Sequence, residues 1–98
     1  MNLIELITNI EKFDEESALY VKRINGEFSY ESEVTIPELT EEELEWKTNE
    51  VSDRKCPGFE YFMEIFLIKE FIEDLEEQEY PTIEKKCKRL IYYAEFDA

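Results

Sequence analysis

The stretch FEYFMEIFLIKEFIEDL, residues 59–75, is the longest apolar run of the chain and holds most of the side chains that could fill a core. Its last apolar residues have the i, i+3, i+4, i+7 spacing of a helix face: Ile68, Phe71, Ile72 and Leu75. Continued backwards, that helix would place Glu60 and Glu64 on its own apolar face, where burying a carboxylate is costly. The sequence therefore predicts a strand near 59–67, followed by a helix near 68–79.

The predicted strand has two unequal faces, because successive side chains of a strand point to opposite sides. One face would carry Phe59, Tyr61, Met63, Ile65 and Leu67. The other would carry Glu60 and Glu64 together with Phe62 and Phe66, so we expect it to be half covered. The core is expected to contain Leu67, Phe71, Ile72 and Leu75, with Leu90 and Ile91 packed nearby.

The first third of the chain predicts a helix and a hairpin. Asn2 and Glu5 resemble a capping box before a helix over 3–13. A segment rich in β-formers over 18–24 leads into Asn25-Gly26, a pair typical of a two-residue hairpin turn. Phe28-Ser29-Tyr30 is then the returning strand, and Ser32–Ile36 either continues it past a bulge or forms a second short strand.

The remaining segments predict two more helices. Thr40 and Glu43 have capping-box spacing and precede a weakly amphipathic helix over about 41–51. Apolar residues recur at helical spacing again within 82–94, which predicts the last helix. The order α β β α β α α indicates one α+β domain, residues 1–98, with a small antiparallel sheet (hairpin plus a later strand) packed by about four helices.

The charge of the chain restricts its partners. The 98 residues include 26 acidic and 11 basic side chains, a formal net charge of −15. Residues 1–79 carry −16 and residues 80–98 carry +1, while 27–53 hold ten acids and the single base Lys47. Nucleic acid and anionic membranes have the same sign and are disfavoured, whereas a basic protein partner is favoured. A solvated acidic surface without a partner is the plainer interpretation.

The sequence offers little for catalysis or metal binding. Histidine is absent, and the two cysteines, Cys56 and Cys87, are 31 positions apart without CxxC spacing. The serines lie in no nucleophile motif, and no Gly-rich phosphate loop is present. We therefore expect no enzymatic activity, no metal and no cofactor. The chain opens without a signal-peptide pattern, so we expect a cytoplasmic protein with reduced, inert cysteines.

The acidic middle of the chain supplies the candidate binding residues. They are Glu31, Glu33, Glu41, Glu42, Glu45, Trp46, Glu50 and Asp53. Trp46 stands out because it lies in the most acidic segment, on a helix with few apolar residues. It either anchors that helix to the sheet or serves as a partly exposed contact, a position in which Trp is enriched.

Several stretches resemble a family of small bacterial domains, some of which are regarded as immunity proteins of polymorphic or contact-dependent toxin systems. These are the opening amphipathic helix, ALY at 18–20, the acidic middle, GFEYFMEIFLIKEFIEDL at 58–75 and RLIYYAEFDA at 89–98. The resemblance implies a cytosolic inhibitor that binds the catalytic domain of a toxin, and many such toxins are nucleases with a basic phosphate-binding surface. The shared motifs are structural, so they carry over no binding residue.

Three functional hypotheses follow. The first is an immunity protein, a monomer or weak dimer, that neutralises a basic toxin through its acidic surface. The second is a nucleic-acid mimic that inhibits a nuclease of a host defence system with the same acids. The third is a non-catalytic acidic adaptor without a basic target, which would bind no nuclease tightly even at low salt.

Overall fold

The computed structural model describes residues 1–97. Within them, four α-helices and three β-strands follow one another in the predicted order. The elements are α1 (Leu3–Thr8), β1 (Ala18–Val21), β2 (Val34–Thr35), α2 (Thr48–Lys55), β3 (Glu60–Glu64), α3 (Ile65–Asp74) and α4 (Ile83–Phe96). Two short 3₁₀ turns, Ile10–Lys12 and Glu43–Glu45, complete them. The predicted class is confirmed: the fold is α+β, with a small antiparallel sheet packed against helices.

The three strands form one antiparallel sheet in the order β2-β1-β3. Leu19 pairs with Met63 and the next residue, Tyr20, pairs with Tyr61, so Phe62 is an extra residue in β3. This β-bulge breaks the strict alternation of side chains. Phe62 and Met63 both join the main core, whereas Tyr61 lies in a cluster on the other face. The prediction that Tyr61 and Met63 share a face is therefore wrong.

The main core lies between one face of the sheet and the helices α1, α3 and α4. Its buried members are Leu3, Leu6, Ile7, Ile10, Leu19, Val21, Val34, Phe62, Met63, Ile65, Ile68, Cys87 and Leu90. Each large apolar side chain buried here stabilises the fold by about 1.5–3 kcal/mol relative to its exposed state.

The opposite face of the sheet is covered much less. Its buried residues are Tyr20, Val51 and Cys56, and half-buried apolar residues pack around them: Ala18, Leu39, Trp46, Phe59 and Tyr61. The helix α2 supplies Val51, and the chain on either side of the Glu43–Glu45 turn supplies the rest of the cover. Part of this face stays open, and the candidate site described below lies there.

The central segment is a strand followed by a helix, as predicted, but the boundary is earlier. The strand ends at Glu64 and the helix begins at Ile65, not Ile68. The amides of Ile65 and Phe66 donate hydrogen bonds to the carbonyls of Ser17 and Glu15, which fixes the chain direction at that point. The helix also ends at Asp74, five residues before the predicted end.

The earlier start adds Ile65 to the buried face of the helix and places Leu67 off that face. Ile65 and Ile68 face the core and are fully buried, whereas Leu67 is 39% exposed, so its predicted place in the core is wrong. Phe71 and Ile72 are half-buried against the core, and Leu75 is half-buried at the end of α3. Leu90 is buried and Ile91 packs beside it, as predicted.

The predicted hairpin forms only at its turn. Asn25 and Gly26 both have positive φ, 53° and 82°, and Ile24 pairs with Glu27 across them. The returning strand predicted at 28–30 is absent, and β1 pairs instead with Val34–Thr35. The amides of Leu3 and Ile4 donate to the carbonyls of Ser32 and Tyr30, so α1 takes the backbone groups that a longer hairpin would need.

Two more of the predicted helices differ from the structure. The first stops at Thr8 and is followed by the 3₁₀ turn, although the Asn2–Glu5 capping box is present as predicted. Thr40 and Glu43 also bond reciprocally, but they open only the 3₁₀ turn Glu43–Glu45, because Trp46 is extended with ψ 148°.

The helix α2 therefore begins at Thr48, and the predicted helix over 41–51 is wrong. The last helix agrees with its prediction within two residues and is capped by the Thr82 side chain. Within the described part of the chain, no helix is both long and apolar enough to cross a bilayer.

Candidate functional site

The open face of the sheet holds a groove of about 490 Å³, which we call the acidic groove. Its aromatic and apolar lining includes Tyr20, Tyr61, Trp46, Leu39 and Leu44. Its carboxylates are Asp14, Glu16, Glu38 and Glu64. None of the lining residues that the structure describes is a Lys or Arg. The groove therefore combines apolar and aromatic surface with a single sign of charge.

The aromatic part of the groove rests on two neighbouring strands. Tyr20 on β1 and Tyr61 on β3 pair directly, and their ring centroids are 5.8 Å apart in an edge-to-face arrangement of 76°. Edge-to-face pairs are a favoured geometry for aromatic rings. Tyr20 is almost fully buried, whereas Tyr61 stays half-exposed, so the groove floor is packed beneath and accessible above.

A hydrogen bond fixes the carboxylate nearest this floor. The hydroxyl of Tyr61 donates to Oε2 of Glu64, and the second Glu64 oxygen stays available for another donor. Burial, with help from the neighbouring Glu64 carboxylate, raises the pKa of Tyr61. Burial likewise raises the pKa of Tyr20. Both phenols are therefore neutral at physiological pH, and Tyr61 acts as a hydrogen-bond donor.

Trp46 forms one wall of the groove. It packs half-buried against the smaller cluster of Tyr20, Val51 and Cys56, so it anchors the chain before α2 to the sheet. Arg54 lies over the indole ring, with its Cζ 5.1 Å from the ring centroid. The indole therefore anchors the segment, which is one of the two interpretations from the sequence, and it also lines the groove. Its role as a contact for a partner stays a prediction.

The groove carboxylates take part in none of the ion pairs of the described residues, whereas several acids near them do. Lys69 pairs with Glu11 and Glu15 at 3.8 and 3.3 Å, and Lys55 pairs with Glu43 at 2.9 Å. The described ion pairs thus use other carboxylates and leave those of the groove uncompensated. A concave site lined by one sign of charge concentrates the electrostatic potential and attracts ligands of the opposite sign.

The groove has no arrangement typical of metal binding or nucleophilic catalysis. Across residues 1–97 there is no group of three or more Cys, Asp or Glu side chains placed to hold an ion. Ser17 lines the groove, but the sequence has no histidine that could activate it. The groove provides negative charge, hydrogen-bond acceptors and aromatic surface. These features favour binding of a cationic side chain.

The residues predicted for partner binding lie in four places. Trp46 lines the groove. Glu41, Glu42 and Glu45 are exposed beside it in sequence, in or next to the 3₁₀ turn that carries Leu44 to the groove. Glu50 and Asp53 lie on α2, where Asp53 lines a neighbouring depression of about 320 Å³ that shares Thr48 and Tyr61 with the groove.

Glu31 and Glu33 are exposed and lie elsewhere. They flank Ser32, the buried residue whose carbonyl accepts a hydrogen bond from the start of α1. Neither lines the groove. The groove acids were not predicted from the sequence, because they come from three separate segments and no spacing connects them. The only available signal was the acidic run Asp14–Glu16 directly before β1.

The fold and this groove define a small acidic α+β domain whose sheet is buried on one face and open on the other. The chain belongs to the DUF7716 family, a domain of unknown function, whose family model matches residues 1–98. No curated protein matches the chain significantly. No solved structure does so either.

Proposed function

We propose that the protein is a non-catalytic binding domain whose acidic groove holds a basic protein partner. The observation that carries this proposal is the convergence of uncompensated carboxylates and aromatic rings on one open groove of about 490 Å³. The formal charge of −15 acts in the same direction, because it attracts basic partners over a long range and repels nucleic acid and anionic membranes.

A Lys or Arg side chain of the partner is the group that fits the groove. Its cation would lie against the half-exposed ring of Tyr61, where such a contact contributes about 0.5–2 kcal/mol, and beside Trp46, whose ring already lies under Arg54. The free oxygen of Glu64 would accept a charge-assisted hydrogen bond. Asp14, Glu16 and Glu38 would act mainly on the association rate, since charges at the rim of an interface steer the encounter.

We further propose that the partner is a toxin catalytic domain and that the protein inhibits it as an immunity protein. The resemblance of the chain to immunity-type domains supplies this class, and the sign of the groove supports it. A nuclease toxin is basic where it contacts phosphate. An acidic protein that occupies this surface would block substrate binding and gain fast association.

A cytoplasmic location is part of this proposal. Cys56 and Cys87 are both free and buried, and they lie in different clusters of the fold. Cysteine thiols stay reduced in the cytoplasm, so two free cysteines support this location. An inhibitor of this kind would act in the same compartment as the target of the toxin.

Co-expression with the product of the neighbouring gene tests the proposal. We expect the two proteins to co-purify and the toxic phenotype of that product to be suppressed. A variant with Asp14→Lys, Glu16→Lys and Glu38→Lys should lose both effects. The matched control is Glu73→Lys, Asp74→Lys and Glu76→Lys, which makes the same change of net charge on α3 and the residues just after it, and should retain them.

The same experiment separates the groove from the acids predicted from the sequence. A variant with Glu31→Lys, Glu33→Lys and Glu50→Lys should keep most of the protection, because these residues do not line the groove. Loss of protection in this variant, with the groove variant fully active, would place the binding site on the 27–53 surface instead. A captured partner with an acidic surface would contradict the proposed function altogether.

A further inference from the structure

The outer face of α4 has the opposite character from the groove. Lys85, Lys88, Tyr92 and Phe96 follow one another at i, i+3, i+7 and i+11 and are all exposed. Tyr92 is 53% and Phe96 66% exposed, and their ring centroids lie 4.8 Å apart. Adjacent exposed aromatic side chains are unusual on a surface without a binding role. We call these four residues the α4 stripe.

Two shallow depressions flank the middle of the α4 stripe. One, of about 460 Å³, is lined by Tyr80, Lys85 and Arg89 towards the start of the helix. The other, of about 420 Å³, is lined by Phe28, Ile91 and Phe96 towards its end. Lys88 and Tyr92 border both of them. The α4 stripe therefore has two lysines at one end and two aromatic rings at the other, and one of the depressions lies beside each end.

We propose that the α4 stripe is the docking site for a second copy of this chain, with the two α4 helices antiparallel about a two-fold axis near Tyr92. In this arrangement Lys88 of one copy lies opposite Phe96 of the second copy, and the reverse pair forms by symmetry. The two residues are eight positions apart in one helix, about 12 Å, so both pairs form at once across the axis. Each pair places a cation against an aromatic ring.

The distribution of charge selects this face for self-association. Two copies with −15 each repel one another over most of their surface. The segment 80–98 has a net charge of +1, and three of its four bases, Lys85, Lys88 and Arg89, border the depressions of the stripe. The acids that border the same depressions are Glu27, Glu79 and Glu95, of which Glu95 is paired with Arg23 at 2.6 Å. Lys88 is itself paired with Glu84 at 3.2 Å. Contact through α4 therefore brings together surfaces of mixed charge rather than two strongly acidic ones. The aromatic end of one copy also complements the cationic end of the other.

The size of the contact sets its strength. The helix has 14 residues and is thus about 21 Å long. A single helix pair of this length buries less than the roughly 800 Å² per partner of a stable interface. The dimer is therefore weak, and it forms only as the protein concentration rises.

Sedimentation equilibrium over a range of protein concentrations tests the dimer. The fraction of dimer should rise with protein concentration. It should also rise from about 0.1 M to about 1 M salt, because the ions screen the repulsion between the acidic bodies. A monomer at every concentration overturns the proposal. So does a dimer that salt weakens, because salt weakening indicates the α4 stripe of one copy bound in the acidic groove of another.

Charge-swap variants test the register. Phe96→Lys should reduce the association constant at least tenfold, because it places a lysine opposite Lys88 of the second copy. The double variant Lys88→Glu with Phe96→Lys should restore association through the new opposite charges. Leu44→Lys is the matched control: it changes another exposed apolar residue, 67% exposed on the groove, and should leave the dimer intact. Failure of the double variant to restore association overturns the register, and loss of association in the control places the contact at the groove.

Discussion

The Tyr61 hydroxyl donates a hydrogen bond to the Glu64 carboxylate from the same face of the sheet, although the two residues are three positions apart. Residues at i and i+3 of a regular strand point to opposite faces. The bulge at Phe62 adds one residue and brings the two side chains together on the open face. One irregularity in β3 thus completes the main core with Phe62 and gives the acidic groove its best-positioned acceptor.

The burial of α3 predicts unequal effects of two adjacent apolar residues. Ile68→Ala should lower the free energy of unfolding by about 2–5 kcal/mol, because Ile68 is fully buried. Leu67→Ala, at a side chain 39% exposed, should cost about 0.5 kcal/mol or less. Urea unfolding of both variants measures the difference. Equal losses would mean that α3 is rotated relative to its position here.

The boundaries of the central segment show what local patterns can and cannot predict. The conflict between Glu60 and Glu64 and a helical face was enough to predict a strand before the helix. The same local pattern could not predict that the helix begins at Ile65. The first residue of the helix depends on hydrogen bonds to the backbone of Glu15 and Ser17, which are distant in sequence.

The hairpin illustrates the same limit. Its turn at Asn25-Gly26 depends only on local φ preferences and was predictable. The partner of β1 was not, because α1 takes the carbonyls of Tyr30 and Ser32 through contacts remote in sequence. Of the candidate site, Trp46 alone was predictable. Glu38 and Glu64 come together only through the fold.

The cap of α4 gives a second stability prediction. The Thr82 side chain accepts a hydrogen bond of 3.1 Å from the Lys85 amide at the start of the helix. Thr82→Ala should therefore lower the free energy of unfolding by about 1 kcal/mol. Thr8→Ala is the control, since its hydroxyl donates only to the Ile4 carbonyl at the end of α1. The account of α4 would be wrong if Thr8→Ala proved the more damaging change.

One thiol and two phenol groups with raised pKa values predict that the protein loses stability in alkaline solution. Burial raises the pKa of the Cys87 thiol to about 12, from 9.0 in an unperturbed thiol, and the pKa values of Tyr20 and Tyr61 are also raised. Above about pH 9 the unfolded chain loses these protons while the folded chain keeps them. The unfolded state then binds fewer protons, so stability falls as the pH rises from about 9 towards 12.

Urea unfolding at a series of pH values measures this slope. In Cys87→Ala the slope should be shallower than in the wild type, because one of the titrating groups is gone. A change of Cys87 that lowered stability equally at every pH would indicate a packing role only. Stability that stays constant or increases between about pH 9 and about pH 11 would contradict the burial of these groups.

Trp46 should affect how long a partner stays bound. Trp46→Ala removes an aromatic wall of the groove, and an interface anchor of this type contributes about 2 kcal/mol or more. The dissociation rate from the partner should rise about thirtyfold, which corresponds to that energy, while the association rate changes little. Surface plasmon resonance separates the two rates. Trp46→Phe is the matched control and should retain most of the residence time. An unchanged dissociation rate in Trp46→Ala would remove Trp46 from the interface.

The association rate of the protein with its partner, followed by stopped-flow fluorescence, tests the central claim most directly. Trp46 is the only tryptophan of the chain and lines the acidic groove, so it reports binding at that place. The rate should fall steeply with salt, and Asp14→Lys with Glu16→Lys and Glu38→Lys should lower it about tenfold or more at low salt. An association rate that is independent of salt, or one that the groove substitutions leave unchanged, would contradict binding of a basic partner in the acidic groove.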